Sequence, residues 1–392
     1  MLFVLLVFFI FVQTDYDYII IGAGAAGLML AGGLGSDPYF KDKTVLLVDK
    51  DAKKTNDRTW CFWEKSAGDF DKIINKSWSQ IQFEGESFKA NREIAPYTYK
   101  MLRGLDFYRH YLNRIQAYEN ITFSQALVTG MVDHKSHVEV STENGNYRAA
   151  QVFNSIFDYK SLYKQTKYPV LQQHFIGWFI KSDKPVFNPE KATFMDFSIP
   201  QKGNTRFMYV LPFSETEGLV EYTLFSADTL AEEEYENAIK NYIKEKLNCT
   251  KYEIIEKERG NIPMTCYNFS AMNSDNILHI GIAGGWAKPS TGYTFMSTNR
   301  KTKELVAFLK TNKPLSSFSN KDRYWYYDLL LLDILYKDNS KGRRIFESLF
   351  KGSSPQLIFK FLDEATNIKE DLQIISSCPK SYFIKALFSR LF

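Results

Sequence analysis

The sequence predicts a mixed α/β protein with a strand–turn–helix–strand unit, a separate β-sheet unit and a helical C-terminal region. Three observations support this prediction. An apolar stretch runs into a glycine-rich turn near the N-terminus, alternating polar and apolar residues follow, and the pattern from Thr298 onward is helical. With 392 residues, of which 45% are hydrophobic, the chain can build two or three domains with substantial cores.

The glycine-rich turn has the spacing Gly-x-Gly-x-x-Gly at Gly22, Gly24 and Gly27, directly after the apolar run 17–21. Gly22 permits the backbone angles of a tight turn. Gly24 has no Cβ, so the main chain can approach a pyrophosphate, and Gly27 allows close packing of the next helix on the strand. The free N–H groups at the start of that helix, around Ala26, would face the phosphates.

This motif alone also fits an ordinary strand-to-helix turn, so its context decides the interpretation. A second apolar strand, 44–48, ends in Asp49 and Lys50. An acidic residue about 20 positions after the glycines is the expected partner of a ribose hydroxyl. Because a second strand follows the glycine motif and ends in an acidic residue at this distance, the sequence predicts a Rossmann-like dinucleotide site.

A second glycine-rich loop follows the short apolar stretch 277–280. Exposed N–H groups in such a loop can stabilise negative charge on a ligand. A domain that binds NAD alone does not need a second loop, whereas an FAD fold of the two-domain hydroxylase or reductase type does. The candidate cofactor residues of this segment are Gly281, Gly284, Gly285, Thr291, Gly292 and Tyr293.

Two further places could carry chemistry. Glu221 interrupts an apolar strand, and alternation puts it on one face with Leu219 and Thr223. If that face is buried, the carboxyl pKa rises and the group can act as a general acid; the alternative is a solvated face. In the predicted loop 53–64, Arg58 precedes Trp60 and Trp63 and could hold phosphate or stack on a flat ring, or the loop could only fix two tryptophans in a core.

Composition excludes several classes of protein. The net charge of +4 is too small to indicate a nucleic-acid partner. The four cysteines are scattered without a Cys-x-x-Cys pair, and the five histidines form no metal spacing with them. We therefore expect neither a disulfide framework nor a metal site.

Both ends of the chain bear on membrane contact. Residues 1–12 are entirely apolar but shorter than the roughly 20 residues that span a bilayer. A membrane-dipping anchor, an upstream false start of translation and a degenerate signal peptide all remain open. Residues 301–392 contain sixteen basic and ten acidic residues, and 382–392 set bulky apolar residues among sparse cations. That pattern fits an anionic membrane surface or an amphipathic helix covering a core.

The expected organisation has four parts. An apolar extension covers 1–14, and a discontinuous FAD-binding domain takes 15–75 and 255–310, with 100–160 contributing in part. A substrate-binding β-sheet domain takes 76–99 and 161–254, and a helical region takes 311–392.

Several segments, in order along the chain from about Tyr16 to the C-terminus, resemble the flavin-dependent lycopene cyclases of carotenoid biosynthesis. They cover Asn56–Glu64, Arg103–Tyr108, Gln173–Trp178, Phe194–Phe197, Tyr209–Ser214, Leu219–Ser226, Ile262–Met264 and Lys288–Tyr293. The resemblance implies an isomerase that closes the ends of linear lycopene into β-ionone rings. It also implies reduced FAD, NAD(P)H as reductant and Glu221 as catalytic acid, with Trp60, Trp63, Tyr222 and Trp286 in the substrate pocket.

The resemblance further implies a cytoplasmic protein that is peripherally associated with the membrane. One segment departs from the family pattern, because Asn154 and Ile156 stand where an aspartate and an arginine are usual. Two alternatives stay open: an FAD-dependent monooxygenase or reductase acting on another isoprenoid lipid, and an inactive carotenoid- or flavin-binding protein.

Overall fold

The computed structural model describes residues 15–318 and 322–391, so the apolar extension 1–14 lies outside the described residues. In chain order, the first elements are β1 (Tyr16–Ile21), α1 (Ala25–Ser36), β2 (Val45–Asp49), β3 (Thr59–Glu64), β4 (Lys76–Trp78), β5 (Gln80–Glu84), β6 (Lys89–Glu93), β7 (Thr98–Arg103), α2 (Gly104–Gln116), β8 (Ile121–Gln125), β9 (Val128–Asp133), β10 (Val138–Thr142) and β11 (Gly145–Asn154). Next come β12 (Val170–Ser182), β13 (Lys191–Asp196), β14 (Thr205–Pro212), β15 (Glu217–Ser226), α3 (Glu232–Glu245), β16 (Tyr252–Thr265) and β17 (Ile277–His279). The remaining helices are α4 (Phe295–Leu309), α5 (Arg323–Lys337), α6 (Gly342–Gly352), α7 (Pro355–Leu362), α8 (Ile368–Ser377) and α9 (Lys380–Leu391).

The first sheet contains the Rossmann-like unit. Its strand order is β8–β2–β1–β11–β10–β9, with β17 beside β11. Strands β8, β2, β1, β11 and β17 run parallel, so their carboxyl ends meet at one edge. Residues 18–21 and 45–48 are buried throughout, which explains their continuous apolar sequence. Ligands of such sheets bind at this carboxyl edge.

The second sheet has the order β16–β12–β15–β14–β13–β5–β6. Helix α3 packs on one face, while α5 to α9 and a small third sheet, β3–β7–β4, cover the other. Residues 255–265, which we assigned to the FAD-binding domain, form most of β16 and pair with β12 in this second sheet. Four consecutive charged residues, 256–259, replace the alternation of polar and apolar residues that would have indicated a strand.

The stretch 59–64, which we predicted as part of a loop, is strand β3 and pairs with β7. Aromatic residues occupy both faces of this strand, so the usual alternation of polar and apolar residues is missing from the sequence. Trp60 and Phe62 face the core of the first sheet, whereas Cys61 and Trp63 face the core of the second. Strand β3 therefore lies between the two cores, where a ligand shared by both would bind.

The fold class agrees with the prediction: a Rossmann-like unit, a β-sheet unit and a helical C-terminal region. The four cysteines are free thiols. Within residues 15–318 and 322–391, no helix combines the length and apolar character needed to cross a bilayer, and no cluster of three or more His, Cys, Asp or Glu side chains has metal-site geometry.

Candidate functional site

The first glycine turn has the geometry of a phosphate cradle. Gly22 has φ +96°, and its N–H donates to the Val48 carbonyl at 2.7 Å. A Cβ on Gly27 would lie 1.9 Å from the Gly22 carbonyl oxygen, so the helix packs on the turn only without a side chain there. Among residues 15–318 and 322–391, no atom lies within 4 Å of a Cβ placed on Gly24, and no side chain caps the N-terminus of α1. The turn therefore leaves open space and helix N–H groups where an anion can bind.

Asp49 lies beside this turn at the end of β2. Its Oδ2 accepts a hydrogen bond from the Ala23 N–H at 2.6 Å, and its Oδ1 accepts from the Asp51 N–H at 2.8 Å. Lys53 forms an ion pair with it at 3.4 Å. The carboxylate thus holds the glycine turn against β2, and the exposed Lys50 follows it at the sheet edge.

Arg58 lies at the boundary between the two sheets. Its side chain is half exposed and pairs with Asp57 at 2.8 Å, and Tyr108 also donates to Asp57, at 2.7 Å. The guanidinium lies 5.9 Å from the Trp60 ring centroid. Arg58 is accessible to a ligand, although an internal carboxylate already neutralises its charge.

The second glycine loop packs next to the first. A Cβ on Gly281, which has φ +60°, would come within 3.0 Å of Ala26 Cβ. Gly284 and Gly285 have different neighbours: Gly284 packs against the His279 carbonyl, and Gly285 packs on the Phe269 ring. The two glycine segments that are far apart in sequence therefore meet at α1, and Gly281 is the contact between them.

Asn154 ends β11 directly beside β1, in register with Ile21. Its side-chain carbonyl accepts from the Ile156 N–H at 2.9 Å, and the Ile156 side chain is half exposed. The intervening Ser155 donates to the Ile21 carbonyl at 2.7 Å. The segment that departs from the family pattern thus lies against the first glycine turn.

A cavity lies between the second sheet, strand β3 and the C-terminal helices. Its lining includes Trp60, Trp63, Glu221 and the segment 291–293. Phe350 and Ile358, from α6 and α7, also line it. The structure therefore brings the second glycine segment, the β3 tryptophans and Glu221 to one cavity.

Glu221 is buried, with 9% of its surface exposed. Every residue of β15 from Gly218 to Ser226 is buried, so the solvated-face alternative is wrong. Its Oε1 accepts a hydrogen bond from Thr223 at 2.6 Å. Desolvation, reinforced by the neighbouring Glu258, raises the pKa of Glu221 well above that of a free glutamate. The carboxyl therefore retains its proton nearer to neutral pH.

Glu258 is a site residue that the sequence analysis missed. It lies on β16 and Glu221 on β15, and both are in register with Gly177 on the intervening strand β12. A Cβ on Gly177 would lie 3.4 Å from Glu221 Cβ and 3.3 Å from Glu258 Cγ. Two buried carboxyls thus face the cavity on either side of a glycine gap. Only the strand register reveals this pair, because Glu258 belongs to a run of alternating charges in the sequence.

Three aromatic rings are stacked at the cavity. Trp63 stacks on Tyr293, with ring centroids 4.5 Å apart, and its other face stacks on Phe359 at 4.6 Å. Its indole N–H donates to Asp363 at 2.9 Å. Both faces of the indole are therefore covered by rings, so a cation in the cavity would meet the outer face of Tyr293.

Two predicted pocket residues do not line this cavity. Tyr222 points to the opposite face of β15, where its hydroxyl accepts from Arg206 at 2.7 Å beneath α3. Adjacent residues of a strand face opposite sides, so Tyr222 and Glu221 do not share one pocket. Trp286 packs near Phe318 in the core of the first sheet.

The geometry can be compared with known proteins. The sequence pattern of the family described as lycopene cyclase protein matches residues 17–388. The chain belongs to the lycopene cyclase family. This match confirms the resemblance seen in the sequence.

A curated relative agrees with the family assignment. A segment of 127 residues is 31% identical to a lycopene beta-cyclase from Paracoccus sp.. The matched segment covers 31% of this chain and 32% of the relative, about a third of each.

Solved structures with the same fold include several flavoproteins. A flavoprotein/dehydrogenase from Cytophaga hutchinsonii has a TM-score of 0.64 at 13% identity, covering 96% of this chain and 99% of the other. A geranylgeranyl bacteriochlorophyll reductase-like protein from Thermoplasma acidophilum has a TM-score of 0.57 at 13% identity, with coverages of 94% and 98%. Halogenase PltM in complex with phloroglucinol and FAD has a TM-score of 0.58 at 12% identity, with coverages of 89% and 82%. At these identities the likeness establishes the fold.

Proposed function

We propose that this member of the lycopene cyclase family is a lycopene β-cyclase, an isomerase that closes linear lycopene ends into β-ionone rings without net redox change. The observation that carries the proposal is Glu221, a buried carboxyl with a raised pKa that faces an aromatic cavity. Protonation of an isolated C=C bond requires an acid that still holds its proton near neutral pH, in a place that water does not reach.

FAD fits the carboxyl edge of the first sheet. The open space at Gly24 and the uncapped start of α1 suit a pyrophosphate, and Asp49 lies where a ribose would bind. Gly281 lies against the start of α1, and Thr291 and Gly292, further along the same segment, line the cavity that contains Glu221. When bound and reduced, with NAD(P)H as the reductant, FAD supplies negative charge that stabilises a nearby cation.

The protein side chains account for each proton and charge. Glu221 donates its proton to the terminal double bond of the substrate, which leaves a tertiary carbocation. The neighbouring double bond attacks this centre, one C–C bond forms, and the charge moves into the new ring. The ring of Tyr293, which lines the cavity, can stabilise that charge through the π face turned away from Trp63. The Glu221 carboxylate left by the first step accepts a proton from the ring, which restores the double bond and regenerates the acid, so the product is an isomer of the substrate.

An apolar substrate of this size is delivered from a membrane, and we propose peripheral membrane association. Helix α8 exposes Ile368 and Leu372 at i and i+4, and α9 exposes Ile384 and Phe388 at the same spacing. Exposed lysines lie beside both pairs. Apolar side chains flanked by cations suit insertion into the headgroup region of an anionic bilayer. A cytoplasmic enzyme would bind the membrane in this way.

Expression in a lycopene-accumulating bacterial strain tests the proposal. Cyclisation changes the pigment from red to orange-yellow, and chromatography identifies the cyclic product. A monooxygenase or reductase would instead consume one NAD(P)H for each product formed. Unchanged red pigment in cells that contain soluble, flavin-loaded protein would refute the cyclase proposal.

A further inference from the structure

We propose that Glu258 is a positioning residue of the site: it carries the negative charge of a carboxyl pair and thereby keeps the proton on Glu221. This inference rests on the proposed cyclase function, and it adds a second residue to the acid machinery. Three features of the structure support it: the glycine gap, the unequal surroundings of the two carboxyls and the absence, among the described residues, of a cation paired with either carboxyl.

The glycine gap brings the two carboxyls toward each other. In an antiparallel sheet, residues two strands apart are normally separated by the side chain of the middle strand. Here the middle residue is Gly177, and the space that its side chain would fill is bordered by Glu221 and Glu258 and is entered by Leu219 Cδ1, which would lie 2.8 Å from a Cβ there. Glycine inside a strand marks such a close approach. Both side chains line the same cavity.

The surroundings of the two carboxyls favour charge on Glu258. Thr59 donates a hydrogen bond to Glu258 Oε2 at 2.7 Å, and the nearby Arg103 favours the ionised form. Glu221 accepts a hydrogen bond from Thr223. Arg103 itself pairs with Glu256 and lies over the Phe179 ring. One negative charge is therefore better placed on Glu258 and the proton on Glu221.

Neither carboxyl forms an ion pair with any residue in the described ranges 15–318 and 322–391. The other groups that face the pair are Cys61 on β3, Tyr99 on β7 and Tyr209 on β14, together with the more distant Glu256. Burial raises the pKa of the thiol and of both phenols, so these groups stay neutral near neutral pH. Two ionised carboxylates without a cation would repel each other at low dielectric, so the pair retains one proton.

The test compares Glu258→Gln, Glu258→Asp and wild type as full-length, flavin-loaded protein. The rate of lycopene cyclisation, after reduction of the flavin, is measured as a function of pH. We expect the wild-type rate to fall on the alkaline side of the profile, where Glu221 loses its proton. In Glu258→Gln the alkaline limb moves to lower pH by about one unit, which lowers the rate on that limb about tenfold. Glu258→Asp keeps the charge and restores the wild-type limb. Glu253→Gln, an exposed residue of the same strand, is the matched control.

A second measurement needs no substrate and separates this inference from the cyclase proposal. Infrared difference spectroscopy follows the protonated carboxyl of Glu221 during a pH titration. We expect this carboxyl to ionise at lower pH in Glu258→Gln than in wild type. Thr59→Val leaves both carboxyls in place but removes the hydrogen bond to Glu258, so it should move the ionisation of Glu258 to higher pH.

The two results can fail separately. If Glu221 titrates at the same pH in wild type and Glu258→Gln, and the alkaline limb does not move, Glu258 has no such role. If the titrations shift as expected but wild type does not cyclise lycopene, the proposed role of Glu258 is supported and the cyclase proposal is refuted.

Discussion

Replacement of Glu221 by glutamine should stabilise the protein while it removes the proposed acid. Glutamine keeps the size of the side chain and the hydrogen bond from Thr223, but it cannot ionise. In wild type, burial and Glu258 raise the folded-state pKa of Glu221 above its unfolded value. The folded protein therefore binds more protons than the unfolded chain between these two pKa values. In that window, the free energy of unfolding falls as the pH rises.

The size of the effect follows from this proton difference. One proton corresponds to about 1.4 kcal/mol for each pH unit, so the window from about pH 5 to 7 corresponds to about 2–3 kcal/mol. Desolvation also raises the pKa of Glu258, so this residue too lowers the free energy of unfolding as the pH rises. The Tm of Glu221→Gln should therefore rise relative to that of wild type as the pH rises, by roughly 2–4 °C across the window.

Thermal unfolding followed by tryptophan fluorescence at a series of pH values measures this difference. Glu217→Gln is the matched control, because Glu217 lies on the same strand but is partly exposed and pairs with Lys181 at 3.0 Å. Exposed pairs contribute about 0–1 kcal/mol, so the control should run parallel to wild type. Parallel Tm profiles for Glu221→Gln and wild type would refute the argument that Glu221 is desolvated.

Three further predictions concern the cofactor, the core and the membrane. Gly24→Ala should fold normally but bind FAD more weakly, because its Cβ fills the open space at the turn; equilibrium dialysis measures the affinity. Gly27→Ala should lower the Tm in thermal unfolding, because its Cβ overlaps the Gly22 carbonyl. Lys288→Met should cost about 3–5 kcal/mol of unfolding free energy, since it leaves a buried carboxylate uncompensated; denaturant titration measures it. Ile368→Glu combined with Leu372→Glu should reduce binding to anionic vesicles in a sedimentation assay without loss of Tm, because both side chains are exposed.

Each of these predictions has a contrary result. Equal FAD affinity in Gly24→Ala and wild type would place the pyrophosphate elsewhere. For Lys288, the control is Lys202→Met, which removes an exposed ion pair, and equal losses in both variants would contradict the argument from burial. For α8, unchanged vesicle binding would remove this helix from the membrane-facing surface, and replacing the buried Ile374 by glutamate instead should cause unfolding.

The sequence predicted the parts of the site that depend on local geometry. The Gly-x-Gly-x-x-Gly turn, the strand before it and Asp49 lie within about 30 residues, and their spacing alone requires a strand, a turn and a helix. Glu221 was predictable as a candidate because one charge stood out in an apolar strand. Sequence alone left open whether its face was buried, since that depends on which elements cover the sheet.

The features that the sequence did not predict depend on contacts between distant segments. Glu258 becomes a site residue only through the register of three strands around Gly177. The strand 59–64 looked like a loop because both of its faces are buried, each in a different core, so polar residues do not mark its period. Tyr222 was placed in the pocket although strand alternation turns it away from Glu221, so a local rule already argued against it.

The most direct test of the central claim is cyclisation of lycopene by the purified, reduced, flavin-loaded protein in deuterium oxide. If Glu221 protonates the substrate, its exchangeable proton is a deuteron, and mass spectrometry should find one deuterium for each ring closed. No NAD(P)H should be consumed in proportion to product, and Glu221→Gln should form no rings. Rings without deuterium, or product that consumes NAD(P)H one for one, would contradict acid-initiated cyclisation.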